Sequence, residues 1–185
     1  MDEVGRGCLA GPVFAAAVIL SSETKIPGLR DSKKMTARDR QKVAITIKEQ
    51  ALDWSIARAE ASEIDRFNVL QASLLAMSRA VSQLKFEPDW VMVDGNRFPP
   101  IDLEGETVIG GDEKVPAISA ASILAKVARD EEMCFLDSIY PEFEFNRHKG
   151  YPTRLHMEKL NHFGPSEIHR VSFIPVKKLL PKKIE

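Results

Sequence analysis

The apolar run Val13–Leu20 restricts the fold of this chain more than any other feature of its sequence. It is too short to span a bilayer, which takes about 20 apolar residues. The segment before it carries Asp2 and Glu3 against only Arg6, whereas a signal peptide begins with a net positive charge. The run therefore predicts a buried strand, and the glycine-flanked turn at Gly5–Gly7 predicts that the chain opens on a hairpin.

Length and composition indicate a single globular domain. The chain has 185 residues, of which 44% are apolar and 29% charged, so it can bury a core without disulfides. Cys8 and Cys134 are far apart and lack the spacing of a metal site, which predicts a reducing, cytoplasmic setting. Nothing in the sequence demands more than a monomer.

The overall charge does not by itself favour a nucleic-acid binder. The net charge is −1 and the pI is near 6.5, whereas nucleic-acid binders are usually basic. If four carboxylates lie under bound metal, however, the rest of the protein is positively charged. The basic clusters that could then line one face are Lys33-Lys34, Arg147-His148-Lys149, and Lys177-Lys178 with Lys182-Lys183. Each cluster alone is typical of a solvated surface.

Two segments show strong helical patterns. The first follows Asn68, its predicted cap, and ends before Pro88. Its apolar positions recur every three or four residues at Leu70, Leu74, Met77, Val81 and Leu84. The second is a longer helix predicted over Pro116–Ile139, because proline suits a first helical turn and Tyr140-Pro141 ends the pattern.

Shorter strands and helices alternate with these segments. The predicted strands are Leu52–Ala57, Trp90–Val93 and Glu106–Ile109, and the other predicted helices begin after Thr36, span Glu63–Phe67, and run from a Thr153 cap to Phe163. Phe143–Tyr151 is predicted as an irregular loop, and the chain from Ser166 as extended. With the opening hairpin, this order predicts a mixed-sheet α/β fold with helices on both faces.

Four carboxylates occupy positions that ordinary surface charges seldom take. Asp2 and Glu3 adjoin the first strand, and Asp94 ends an apolar strand. Asp130 shares the apolar face of the long helix, where a carboxylate is costly unless it is paired, hydrogen-bonded or metal-bound. The ordinary alternatives are a partly exposed boundary position for Asp130 and an Asp-Gly turn for Asp94.

Carboxylates from separate elements suit a pair of hard divalent cations. Such pairs, about 3.5–4 Å apart, catalyse in-line phosphoryl displacement without a histidine base. None of the four histidines has an obvious nucleophile partner, and the chain contains no GxSxG, P-loop or HExxH motif. The residues therefore favour metal-assisted phosphodiester hydrolysis.

The stretch Asp2–Gly7, with Leu9–Pro12 behind it, resembles the signature of the ribonuclease HII family, the type 2 ribonucleases H. Further motifs of the family match in the same order along the chain: Asp31–Lys34, Asn68–Ala72, Val93–Asn96, Ala120–Val127 with Arg129-Asp130, and His148–Tyr151. The resemblance covers essentially the whole chain.

That resemblance implies an RNase H-like mixed β-sheet flanked by helices, with a C-terminal helical extension. Residues 1–140 would form the catalytic domain, and residues 141–185 a helical and basic extension packed on it. The implied activity is endonucleolytic hydrolysis of the RNA strand of RNA/DNA hybrids. Duplex DNA containing ribonucleotides is also an implied substrate, cut 5′ of the ribonucleotide to leave a 3′-hydroxyl and a 5′-phosphate.

The resemblance also implies roles for individual residues. Asp2, Glu3, Asp94 and Asp130 would hold Mg²⁺ or Mn²⁺ in a two-metal site. Gly5, Arg6, Gly7 and Tyr151 would recognise the ribose 2′-hydroxyl at the RNA–DNA junction, the group that distinguishes RNA from DNA. Lys33 is a candidate phosphate contact, with a solvated lysine as the alternative.

The chain departs from the family pattern in two places. The lead into the long helix, Gly110–Pro116, is more acidic and carries a proline. The acidic pair stands at position 2, whereas family members carry further residues before it, so we expect the natural protein to start upstream. A catalytically impaired nucleic-acid-binding protein of the same fold is therefore one alternative. A type 1 ribonuclease H or a junction resolvase is another.

Overall fold

The computed structural model describes residues 1–29 and 32–181. Two predicted features fall partly outside these residues, namely Asp31 of the Asp31–Lys34 motif and the Lys182-Lys183 pair of the basic C-terminal cluster. The strands in the described part are β1 (Asp2–Val4), β2 (Val13–Ile19), β3 (Asp53–Ala59), β4 (Val91–Asp94) and β5 (Gly105–Val108).

The helices in the same described ranges are α1 (Ala37–Gln50), α2 (Ala61–Phe67), α3 (Val69–Ser82), α4 (Gly111–Lys114), α5 (Pro116–Ile139), α6 (Phe145–His148), α7 (Arg154–Phe163) and α8 (Ile174–Lys177). Two 3₁₀ turns, Ser32–Lys34 and Pro141–Phe143, complete the regular structure there. Among the described residues, no helix is both long and apolar enough to cross a membrane.

The strands form a three-stranded antiparallel sheet and a two-stranded parallel sheet. β1, β2 and β3 pair antiparallel in that order, with Glu3 opposite Ala15, while β4 and β5 pair in parallel. Met1 joins the two parts, because its amino group donates to the Met92 carbonyl at 2.6 Å and its own carbonyl accepts from the Asp94 N–H at 3.0 Å. The ends of β1 and β4 consequently lie side by side.

Helices cover both faces of the antiparallel sheet, as the sequence predicts. Successive side chains of β2 point to opposite faces, because a strand has a period of two residues. Ala15 and Ala17 pack in a core cluster with α3, whereas Ala16 and Val18 pack in a second cluster with α1 and α5. Small side chains on the strand let the helices approach closely.

The helix starts predicted from capping residues are confirmed. Thr36 and Thr153 each accept a first-turn backbone N–H through the side-chain hydroxyl. The Asn68 side-chain oxygen accepts two such groups, at 3.0 and 3.1 Å. These bonds satisfy N–H groups that have no partner inside a helix.

Some predicted element bounds are wrong. The expected loop Phe143–Tyr151 contains α6, because Glu144 and Lys149 take left-handed backbone angles (φ 56° and 51°) that start and end a single helical turn. The tail expected to be extended contains α8, with Pro175 in its first turn. Helix α3 ends at Ser82, earlier than its apolar period suggests.

Candidate active site

Acidic side chains meet where β1 lies beside β4. Asp2 and Glu3 belong to β1, and Asp94 is the last residue of β4. Burial raises the pKa of Asp2 to about 7, and the charges of Glu3 and Asp94 add to this rise. Burial also raises the pKa of Glu3, although the hydrogen bond from Arg6 opposes it. The structure therefore places three of the four predicted carboxylates at one edge, close enough for their charges to interact.

Each of these carboxylates has a partner of its own. Asp2 hydrogen-bonds to the hydroxyl of Ser122 on α5 and accepts the Glu3 N–H at 2.7 Å. Glu3 pairs with Arg6 at 3.1 Å. Asp94 accepts the N–H of Gly111 at 2.7 Å.

Asp112 is an acidic residue at this edge that sequence reasoning missed. It follows Gly111, whose N–H binds Asp94, and its buried side chain pairs with Lys33 at 3.1 Å. Only the strand pairing reveals it, because β4 and β5 are parallel neighbours and the carboxyl ends of such strands meet at one edge of a sheet. Asp94 ends β4, and Asp112 follows closely after β5. The acidic lead into α5 is thus part of the candidate site.

The structure does not bring Asp130 to the other carboxylates. It lies on α5 eight residues beyond Ser122, the residue that contacts Asp2, which is about 12 Å along a helix axis. Two metal ions about 4 Å apart do not span that separation with short aspartate side chains. Asp130 therefore lies outside the cluster that contains Asp2.

The position of Asp130 has a structural cause. Its helix face is the one that packs Ile123 and Val127 against α1. Arg40 of α1 reaches Asp130 at 3.2 Å, and Lys126 reaches it at 2.6 Å. These two cations balance the charge of Asp130 on the apolar face, a role that the sequence predicted for a metal ion.

The donor types fit a divalent cation, although the side chains do not converge on one point. Among the described residues, no group of three or more His, Cys, Asp or Glu side chains is placed to hold an ion. The donors at the edge are nevertheless all carboxylate oxygens, which Mg²⁺ and Mn²⁺ prefer. The raised pKa of Asp2 also reflects negative charge that a bound cation would relieve.

The Gly-Arg-Gly segment forms a turn next to these carboxylates, with Gly5 buried and Arg6 and Gly7 exposed. Cys8 N–H donates to the Gly5 carbonyl at 3.3 Å, which closes a β-turn. Gly5 has a φ of +96°, and a Cβ there would overlap the Arg129 side chain, so the fold itself requires this glycine. Gly7 is exposed, has no left-handed backbone angle, and in the described part of the chain has no atom within 4 Å of an added Cβ.

Tyr151 lies beside the same turn. Its hydroxyl hydrogen-bonds to the thiol of Cys8, the residue that ends the turn. Its partly buried ring lies 5.6 Å from the Lys126 ammonium and 5.7 Å from the Arg129 guanidinium. Burial raises the pKa of Tyr151, so the hydroxyl stays protonated at neutral pH.

Comparison with known families identifies the family to which the chain belongs. The family model for Ribonuclease HII matches residues 1–176. The chain belongs to the ribonuclease HII family. A curated Ribonuclease HII from Nitrosococcus oceani is 54% identical over 180 residues, covering 97% of this chain and 90% of the relative. The family is one of metal-dependent endoribonucleases, and it implies hydrolysis of the RNA strand of RNA/DNA hybrids.

Solved ribonuclease HII structures confirm the fold. The crystal structure of ribonuclease H2 from Pyrococcus horikoshii OT3 matches with a TM-score of 0.78 and 27% identity, covering 96% of this chain and 94% of that one. The ribonuclease HII of Archaeoglobus fulgidus, solved in complex with PCNA, matches with a TM-score of 0.76 and 24% identity, covering 99% and 96%. The RNase H-like α/β fold expected from the sequence is therefore present, with small sheets flanked by helices.

Proposed function

We propose that this protein cuts the RNA strand of RNA/DNA hybrids and also cuts 5′ of ribonucleotides embedded in duplex DNA. The products would carry a 3′-hydroxyl and a 5′-phosphate. The observation that carries the proposal is the junction between an acidic sheet edge and a partly exposed glycine turn. Asp2 and Glu3 lead directly into Gly5–Gly7, so a group recognised by the turn would lie next to the carboxylates.

We propose Asp2, Glu3, Asp94 and Asp112 as the residues that hold Mg²⁺ or Mn²⁺. Asp112 replaces Asp130 in this set because it adjoins Asp94 through Gly111. Divalent cations at such a site activate water and stabilise the leaving oxygen of a phosphodiester. The chain itself supplies the carboxylates and keeps Asp2 largely out of water.

Gly7 supports recognition of a ligand by the turn. The fold gives no reason for a glycine at this position, since its backbone angle suits other residues and its surroundings are open. A glycine is needed, however, where another molecule must approach the backbone closely. A ribose 2′-hydroxyl that binds to backbone groups of the turn would have to approach in this way.

Tyr151 and Lys33 extend the proposed contact with the substrate. The ring of Tyr151 lies beside the turn and has an apolar surface on which a neighbouring deoxyribose can pack. Lys33 has a largely exposed side chain at the acidic edge, where it can contact a backbone phosphate. Both residues would position the duplex, and the turn would read the ribose.

A panel of duplexes tests the function. With Mg²⁺, we expect the protein to cut an RNA/DNA hybrid and to leave an all-DNA duplex of the same sequence intact, and a chelator should abolish the cutting. Asp102→Asn, at an exposed loop carboxylate, is the matched control for variants of the edge carboxylates. Hybrid binding without cleavage by the wild-type protein at any Mg²⁺ or Mn²⁺ concentration would favour the catalytically impaired alternative.

We further propose that the protein acts as a cytoplasmic monomer. The two cysteines support a reducing setting, because Cys8 is buried, Cys134 is exposed, and they do not form a disulfide with each other. Sedimentation of the pure protein, with and without duplex, tests the oligomeric state.

A further inference from the structure

Two fully buried arginines lie beneath the glycine turn. Arg129 on α5 and Arg170 in the C-terminal segment are both 0% exposed. Neither guanidinium forms an ion pair with a carboxylate within the described ranges. Burial lowers the pKa of Arg170 to about 10, which still leaves it charged at neutral pH. The charge of Asp65 acts on Arg170 from a distance and partly opposes that lowering. A buried charge without a direct ion-pair partner is costly, so its retention requires a reason.

The guanidinium groups donate to backbone carbonyls of the turn and of the chain that follows it. Arg170 donates through Nη1 to the Arg6 carbonyl at 3.0 Å, and through Nε and Nη2 to the Gly11 carbonyl at 3.0 and 2.8 Å. Arg129 donates to the carbonyls of Ala10 and Pro12, at 3.2 and 3.1 Å. Five planar N–H donors make arginine suited to holding several carbonyls at once.

Arg129 also joins this segment to the loop that carries Tyr151. Its Nη1 donates to the Lys149 carbonyl at 2.8 Å, two residues before Tyr151. Leu9 N–H donates to the Gly150 carbonyl at 2.8 Å in the same region. The turn and the aromatic ring are therefore held relative to each other through one buried side chain.

The bond from Arg170 sets the direction of one peptide group. In a trans peptide, the carbonyl and the following N–H point in opposite directions, and all described peptides are trans. The Arg6 carbonyl points inward to Arg170, so the Gly7 N–H points outward. Gly7 is exposed, which places that N–H at the surface of the turn.

We propose that Arg129 and Arg170 are positioning residues that hold the Gly7 N–H outward as a preformed donor to the ribose 2′-hydroxyl. They act through the backbone and do not contact the substrate. This inference rests on the proposed function and adds how the backbone of the turn is held in its binding conformation. A preformed donor favours the ribonucleotide duplex over the all-DNA duplex, because the turn loses no conformational freedom when the N–H meets the 2′-hydroxyl.

Binding without catalysis tests the inference. The affinities of a DNA duplex with one ribonucleotide and of the all-DNA duplex would be measured in chelator, and their ratio compared between proteins. We expect Arg170→Met to reduce the ratio roughly three- to tenfold, the worth of one hydrogen bond, while the all-DNA affinity changes little. Arg170→Lys, which keeps the charge but loses the fork of donors, should give an intermediate ratio.

Arg40→Met is the matched control. Arg40 is also a buried arginine that donates to backbone carbonyls, those of Ser32 and Met35, but it does not touch the turn. We expect it to lower stability and leave the ratio unchanged. A folded Arg170→Met protein with the wild-type ratio would overturn the inference. A wild-type protein that neither prefers nor cuts the ribonucleotide duplex would instead overturn the proposed function.

A measurement on the wild-type protein keeps the inference testable if the arginine variants do not fold. The Gly7 amide signal in NMR should exchange rapidly with solvent in the free protein. It should shift when the ribonucleotide duplex is added, and shift much less with the all-DNA duplex. A Gly7 amide that is protected in the free protein, or that responds equally to both duplexes, contradicts the outward orientation.

Discussion

The carboxylates at the sheet edge can be exchanged for amides with little change in their local hydrogen bonds. Asp94, for example, accepts the Gly111 N–H, and an asparagine oxygen accepts the same group. Replacement also removes a charge that repels Asp2. A loss of activity in such a variant therefore reports on the chemistry of the site, provided that the melting temperature is maintained.

Asp94→Asn should reduce cleavage at least about 100-fold, because metal ions supply several kcal/mol of transition-state stabilisation and about 1.4 kcal/mol is a factor of ten. Single-turnover cleavage of an RNA/DNA hybrid measures this, with circular dichroism as the check on folding. Substantial residual activity in a folded protein would remove Asp94 from the site.

Asp112→Asn and Asp130→Asn distinguish the two candidates for the fourth ligand. Because Asp112 adjoins Asp94 and Asp130 is paired with Arg40, we expect a loss of at least about 100-fold for the first and less than about tenfold for the second. Asp130→Asn should instead lower thermal stability, since it leaves Arg40 without its carboxylate. The reverse order of activities would restore Asp130 as the ligand.

Tyr151→Ala should weaken cutting at a lone ribonucleotide by about tenfold, in line with alanine substitutions of stacked aromatic rings. Tyr151→Phe keeps the ring and loses only the hydroxyl bond to Cys8, so it should retain most of the activity. Steady-state rates on both duplex types measure the effect. An equal loss on a lone ribonucleotide and on a continuous hybrid would count against a role at the junction.

At the scale of the elements, the helix starts carry measurable stability. Asn68 caps α3 through two hydrogen bonds and has a φ of 69°, which other L-residues adopt with strain. Asn68→Ala should lower the free energy of unfolding by about 1–2 kcal/mol. Asn68→Gly, which tolerates the angle, should lose less. Denaturant titration measures both, and an unchanged midpoint for Asn68→Ala would show that the cap contributes little.

The elements were largely predictable because their signals are local. The period of α3, the proline that begins α5, and the capping threonines of α1 and α7 each depend on a few neighbouring residues. Helix α6 was not predictable, because its two ends depend on left-handed backbone angles at Glu144 and Lys149. Such angles are usually signalled by glycine or asparagine, and neither residue type stands at these positions.

The candidate site was predictable where residues adjoin in sequence or where a family motif marks them, as for Asp94 and Tyr151. Asp2, Glu3 and Gly5–Gly7 are neighbours in sequence, so their association needed no knowledge of the fold. Asp112 becomes adjacent to Asp94 only through the pairing of β4 with β5, which follows from tertiary structure. Asp130 fits the apolar face of α5, but the partner on that face is Arg40, and helical periodicity does not identify partners on other helices.

At the scale of the whole molecule, a buried histidine cluster links α6 and α7 to the C-terminal segment. His156 and His169 approach through their Nε2 atoms at 3.1 Å, and the His148 ring stacks on His156 with centroids 4.2 Å apart. His169 Nδ1 accepts the Ser166 N–H at 2.9 Å, so its Nε2 carries the proton and donates to His156. This arrangement requires neutral rings.

Stability should fall in acid because of these rings. Burial lowers the pKa of His156 to about 4 and of His169 to about 3, with neighbouring histidines adding to the effect. The unfolded chain, with pKa values near 6.5, binds more protons than the folded protein below that pH. The stabilisation is therefore complete above pH 6.5 and is lost as the pH falls towards 3–4.

Urea unfolding between pH 7 and pH 4.5 measures this loss, which approaches about 1.4 kcal/mol per pH unit for each buried histidine. His169→Gln should lessen the slope, whereas His162→Gln, at an exposed site, should leave it unchanged. A slope that is the same in both variants would show that other groups govern the acid response.

The most direct measurement of the central claim uses a DNA duplex that carries one ribonucleotide and a label on each end of that strand. In Mg²⁺, we expect a single cut on the 5′ side of the ribonucleotide, with a 3′-hydroxyl on one fragment and a 5′-phosphate on the other. A chelator should prevent the cut, and an all-DNA duplex should remain intact. A folded protein that leaves the ribonucleotide duplex uncut in Mg²⁺ and in Mn²⁺, or cuts it on the 3′ side, would contradict the proposed function.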